Sequence, residues 1–138
     1  MNKIVYDETA MKFMVLFETM TKTNLKDCII NDEIIFFIVE ENQIAKAIGK
    51  QGSNIRNLQK ALKRRIKIVE YSNDLIKFIN NFIYPIKAKE VINEEGVIKI
   101  MTPDIESRGI LIGKSATNLR SFESIVKRYF QITEIKIY

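Results

Sequence analysis

Histidine and tryptophan are absent from this 138-residue chain, cysteine occurs once, at Cys28, proline twice and glycine only five times. The lack of histidine excludes His-based triads and imidazole general bases, and a lone cysteine excludes an internal disulfide and a zinc site of the usual Cys/His type. Cys28 lies in an apolar run and is expected in the core rather than as a nucleophile. No apolar run approaches the roughly 18 residues of a membrane span and no signal-type segment opens the chain, so a soluble, cytoplasmic protein is expected. The acidic pairs Glu40-Glu41 and Glu94-Glu95 fall at expected strand ends or turns and read as solvated charge, not as an acid/base or metal-binding pair. No enzymatic constellation and no cofactor are expected.

What the chain does have is a repeat. Ile48-Gly49-Lys50-Gln51-Gly52-Ser53-Asn54-Ile55-Arg56 lies over Ile112-Gly113-Lys114-Ser115-Ala116-Thr117-Asn118-Leu119-Arg120 at a constant offset of 64 residues. Isoleucine, glycine, lysine, asparagine and arginine coincide. Beyond the turn, the same offset sets Lys63-Arg64 on Lys127-Arg128, Ile68 on Ile132 and Glu70 on Glu134, with Ile55, Leu58, Ala61 and Leu62 on Leu119, Phe122, Ile125 and Val126. Two unrelated amphipathic helices would share apolar spacing but have little reason to share charges and turn residues, so the chain is a tandem duplication. Apolar residues make up 46% of it and the formal charge is +5, which suits a stable fold and a polyanionic partner without requiring the latter.

Local patterns give each half the same element order. Ala10, Phe13, Met14 and Phe17 recur at helical spacing behind a capping Asp7, predicting a helix to about Thr21. Strands are predicted at 25–30 and 33–39 across Asn31-Asp32, then a short helix near 43–48, the glycine turn, a helix over 53–64 and a strand at 66–71. Residues 34–38 are expected in the core. Ser72-Asn73-Asp74 caps the next helix, which stops at Tyr84-Pro85. Strands at 87–92 and 97–101, joined through 93–96, precede a helix opened by Pro103-Asp104 and ended at Gly113. A helix over 117–129 and a strand at 132–138 close the chain.

Both turns set backbone amides and a lysine where a helix begins, which is chemistry suited to phosphate and hence to nucleic acid. A nucleotide-hydrolysing P-loop is excluded. That pattern needs glycine at position 108, where Arg108 stands, and Gln51 occupies the magnesium-holding position of the first copy.

Two small helices joined by Gly-Lys-X-Gly, in a unit of about 65 residues with three strands, resemble the KH domain in its type II topology, which starts with a helix and ends with a strand. At the junction, Val69-Glu70-Tyr71-Ser72-Asn73-Asp74, then Phe78, Asn81, Pro85, Lys87 and Val91, are similar to the inter-domain segment of the archaeal NusA-like proteins, two-KH relatives of a bacterial transcription factor. The resemblance implies an α+β fold of two tandem type II KH domains (α-β-β-α-α-β each), residues 1–72 and 73–138, packed as one compact rigid body. It implies single-stranded RNA as partner, a nascent transcript above all, in transcription elongation, termination or antitermination, with RNA polymerase as a further partner. No membrane and no small-molecule substrate are implied. Two alternatives stay open: a ribosomal or ribosome-assembly RNA-binding protein, and a protein-binding scaffold on polymerase with vestigial turns.

The same resemblance makes Ile48, Gly49, Lys50, Gln51, Gly52, Ser53, Asn54 and Arg56 the RNA-binding residues of the first copy, and Gly113, Lys114, Ser115, Ala116, Asn118 and Arg120 those of the second. The missing Cβ atoms at Gly49 and Gly52 would admit the RNA backbone, about four nucleotides of which a KH turn clamps. Lys50 supplies a point charge, and Ser53 and Asn54 are expected to cap the helix or donate to phosphate. Ile44, Ala47, Ile48 and the strand from Glu33 are expected to floor an apolar groove, flanked by Arg56, Lys60, Lys63 and Arg64. Lys63-Arg64-Arg65 also reads as a solvated helix end. Ala116 replaces the last glycine of the second turn, so that copy is expected to bind more weakly, with a helical backbone at Ala116 tolerating the methyl group. Gly109 and Gly113, four residues apart, are expected to serve tight helix packing.

Overall fold

A computed structural model describes residues 6–138. The chain divides into two compact units, the first ending at Ser72 and the second running from Asn73 to Tyr138. The first contains α1 (Glu8–Thr21), β1 (Leu25–Ile30), β2 (Ile34–Val39), α2 (Ile44–Ile48), α3 (Ser53–Leu62) and β3 (Arg65–Glu70). In the second the order repeats as α4 (Leu75–Ile83), β4 (Glu90–Glu94), β5 (Val97–Met101), α5 (Ile105–Ile112), α6 (Thr117–Tyr129) and β6 (Glu134–Ile137). Each sheet has three strands, with the second strand of each unit in the centre, antiparallel to the first and parallel to the last.

Local chemistry sets most boundaries. The Asp7 carboxylate accepts from the Ala10 amide at 2.8 Å and starts α1, and Asp74 and Asp104 do the same for α4 and α5. The Ser107 amide and hydroxyl hold the Asp104 carboxyl below its ordinary range. Asn31 turns the first hairpin by accepting from the Glu33 and Ile34 amides. In the second hairpin Glu95 and Gly96 alone make the turn, both at positive φ, so β4 runs on to Glu94 and begins later than the 87–92 pattern suggests.

In the first unit, α1, α2 and α3 cover one face of the sheet. Phe17, Ala47 and Leu58 meet Cys28, Ile35, Phe37, Val39 and Ile66 there, and the Phe17 and Phe37 rings stack at 4.3 Å. Phe36 and Ile38 alternate to the opposite face and are buried too. In the second unit Ile98, Ile100, Ile135 and Ile137 are buried in the sheet, and Phe122, Ile125 and Val126 along α6. The Phe82 ring of α4 stacks on Phe122 at 4.4 Å, and Phe78 meets Tyr129 edge-on at 5.5 Å.

The 64-residue register does not survive past the long helices. Lys63 takes a left-handed conformation (φ 55°) and stops α3 at Leu62, short of Arg64, whereas α6 continues to Tyr129. Gln59 and Glu123 mark the true correspondence, each accepting the amide of the second residue of the last strand, Ile66 at 3.2 Å and Ile135 at 2.9 Å. Ile66 therefore corresponds to Ile135, and Glu70, which ends β3, does not correspond to Glu134, which begins β6. Lys63-Arg64 lie beyond α3 while Lys127-Arg128 lie inside α6.

Candidate nucleic-acid interface

The two turns share one backbone shape. Gly49 (φ 78°, ψ 170°) and Gly113 (φ 73°, ψ 175°) take a conformation open essentially to glycine alone and swing the chain off α2 and α5. A single 3-10 turn follows, with the Gly52 amide on the Gly49 carbonyl at 3.1 Å and the Ala116 amide on the Gly113 carbonyl at 3.2 Å. Gln51 and Ser115 are left-handed, as are Gly52 (φ 74°) and Ala116 (φ 60°). The helical backbone expected at Ala116 is thus not adopted: the alanine is held in the conformation that glycine takes in the first turn. For a residue with a Cβ that costs about 1–2 kcal/mol. Ala116→Gly should accordingly raise stability by about 1 kcal/mol, less whatever the freer unfolded chain takes back. A thermal melt that moved downward would contradict this.

Lys50, Gln51, Lys114 and Ser115 project into solvent. Neither α3 nor α6 carries a side-chain cap, because their cap positions are Gly52 and Ala116; Ser53 and Thr117 are already helical, so Ser53 is not the cap. The Ser53 and Thr117 amides bond the Lys50 and Lys114 carbonyls, and no side chain caps the amides that follow beside each lysine, an arrangement that attracts an anion. Arg56 adds to the first turn. Its guanidinium donates to the Gln51 carbonyl and lies 3.4 Å from where a Cβ on Gly52 would stand. For the side chain of Arg120, its counterpart, no hydrogen bond is made among the described residues, and Ala116 carries a methyl group where the first turn has Gly52.

Charge follows the same asymmetry. Residues 43–65 hold seven lysines and arginines and no acid, whereas 107–129 hold five cations and Glu123. Not every cation is available. Arg64 donates to the Asn31 carbonyl and ties the end of α3 to the first hairpin, so it belongs to the fold and not to a basic surface. Lys60 and Lys63 are exposed.

Three expectations need correction. Ala47 and 35–39 of β2 are buried, leaving Ile44, Ile48 and, at the start of β2, Ile34 half-exposed, so β2 offers no continuous groove floor. β2 is covered on both faces, which matches the five consecutive apolar residues at 35–39, whereas the equally central β5 alternates buried and half-buried positions. Gly109 has nothing within 4 Å of an added Cβ and packs against no helix. Asn54 and Asn118 are not free of the fold: their amides donate to the Lys46 and Ile110 carbonyls. Composition gave no sign of that contact, which joins residues eight apart across the turn.

Among the described residues no cluster of acidic or cysteine side chains could hold a metal ion, and no helix is long and apolar enough to cross a membrane. Residues 15–74 match the family described as NusA-like second KH domain, which falls on the first unit. The chain is 34% identical to the probable transcription termination protein NusA of Methanocaldococcus jannaschii over 88% of its own length and 68% of that protein. It is 28% identical to the protein of the same description from Thermoplasma acidophilum, over 99% of this chain and 97% of that one. The crystal structure of APE1850 superposes with a TM-score of 0.75, covering 96% of this chain and all of the other at 24% identity, which supports the fold. With both units built as KH domains and archaeal relatives matched along most of its length, the chain belongs to the NusA family, a family of transcription factors and not of enzymes.

Proposed function

We propose that the protein binds single-stranded RNA through its two Gly-Lys turns, chiefly the first, and that it does so on transcripts during transcription termination or elongation, with RNA polymerase as its protein partner. One observation carries the RNA reading: Ala116 is held in a left-handed conformation, at an energetic cost, so that the second turn keeps the shape of the first. Backbone strain of this kind persists where the turn's shape is itself needed. The shape serves a phosphate backbone, because it leaves amides, a lysine and a thinned backbone facing outward together. The transcription setting rests on the description its relatives carry, and the preference for single strands on the KH turn.

Short single-stranded RNA, with DNA and duplex RNA beside it, titrated at several salt concentrations against the native protein and a Lys50→Asp/Gln51→Asp variant, tests the reading. Affinity for single-stranded RNA should exceed the others and fall with salt. The paired substitution should weaken it on the order of 100-fold, as two carboxylates replace a phosphate contact. Absence of binding, or binding indifferent to the substitutions, would leave the protein-scaffold reading in its place.

A further inference from the structure

We propose that Asn54 and Asn118 are positioning residues, each pairing with the glycine that opens its turn to set the turn's shape before RNA arrives. This rests on the RNA-binding reading above and reassigns two residues that the family resemblance would make phosphate contacts.

The need for such residues comes from the helix ends. At the end of α2 the Gly49 amide bonds the Ala45 carbonyl at 3.1 Å, and the chain then turns away, so no helical amide follows to serve the Lys46 carbonyl. The Asn54 amide serves it, donating at 3.1 Å from the first turn of α3. The second unit repeats the arrangement: Gly113 bonds Gly109 at 2.8 Å and Asn118 donates to Ile110 at 2.9 Å. One side chain thus staples the helix entering each turn to the helix leaving it.

The glycine makes room for this. A Cβ on Gly49 would stand 2.9 Å from the Asn54 Cγ and Nδ2 and equally close to the Ser53 Oγ, whereas one on Gly113 would meet Asn118 first, only 2.6 Å from its Cγ. Each asparagine therefore packs where a side chain on its glycine would stand. The positive φ and the asparagine are two independent reasons for glycine at these positions. With one amide hydrogen held by the entering helix, the asparagine acts through the presentation of Lys50 and Gln51, or of Lys114 and Ser115.

The test combines Asn54→Ala, Gly49→Ala and the double variant. Three measurements are made on each: single-stranded RNA affinity across salt, amide hydrogen exchange at 49–52 in the RNA-free protein, and thermal unfolding. Asn54→Ala should weaken RNA binding about tenfold, the worth of one hydrogen bond and its ordering, with the salt slope unchanged. It should also speed exchange in the free turn. Gly49→Ala should be strongly destabilising, and the double variant should cost clearly less than the two singles together, because the φ strain and the close Ser53 hydroxyl remain while the collision with Asn54 disappears. Weakened binding with unaltered exchange in the free turn would make Asn54 an RNA contact and overturn the proposal while leaving RNA binding intact. If the native protein bound no RNA, the exchange and the unfolding cycle would still decide whether glycine and asparagine are coupled, and additive losses would overturn it.

Discussion

Gly52→Asp is expected to remove most single-stranded RNA binding, on the order of 100-fold or about 2.7 kcal/mol, whereas Ala116→Asp should cost less than about tenfold. Aspartate is among the few residues that accept a left-handed backbone, so the substitution at φ 74° should leave the turn folded and act through charge. The new carboxylate would stand beside the Arg56 guanidinium, 3.4 Å from the position of the added Cβ, and would take up the cation as well as repel phosphate. In the second turn there is less to lose. Arg120 is not docked on its turn, a methyl group already stands at position 116, and the surrounding helices carry fewer cations. Thermal unfolding alongside the titrations separates the charge effect from misfolding. Equal losses at the two positions would refute the asymmetry.

Phe37→Ala should destabilise the first unit by about 3–5 kcal/mol, a large share of the total for a domain of this size. Phe37 is fully buried on the central strand, between Cys28 of β1 and Ile68 of β3 in the ladder, and stacks on Phe17. Removing the ring leaves a cavity bounded by strand neighbours that hydrogen bonds prevent from closing in. Met11→Ala or Val15→Ala on α1, at 57% and 64% exposure, should each stay within about 0.5 kcal/mol. Urea unfolding followed by circular dichroism reads all three. A loss below about 1 kcal/mol for Phe37→Ala would mean that α1 does not close over the sheet as described.

The parts of the site legible in the sequence were those encoded by neighbours in the chain. Glycine and lysine at 49–50 and 113–114 announce a turn between helices, because helical periodicity stops there and resumes. Side chains whose partners lie across the turn gave no such signal. Asn54 carries the same chemistry whether it donates to phosphate or to the Lys46 carbonyl, and Arg64 reads as a helix-end cation until Asn31 is brought against it. The apolar run of β2 was ambiguous for a related reason: burial on both faces leaves no alternation to reveal which residues line a groove.

By itself the sequence determined the duplication, the order of elements in each unit, the capping aspartates at 7, 74 and 104, and the place of the two turns. All of these follow from propensities and periodicities that act over a few residues. Tertiary structure alone decided that Ala116 is left-handed, that the repeat slips by several residues after the long helices, and that Asn54 and Asn118 donate back across their turns. Each of those outcomes depends on atoms brought together from distant elements. The helix pair flanking the second turn imposes on Ala116 a conformation its own preference opposes, at a cost of about 1–2 kcal/mol that local sequence could not foretell.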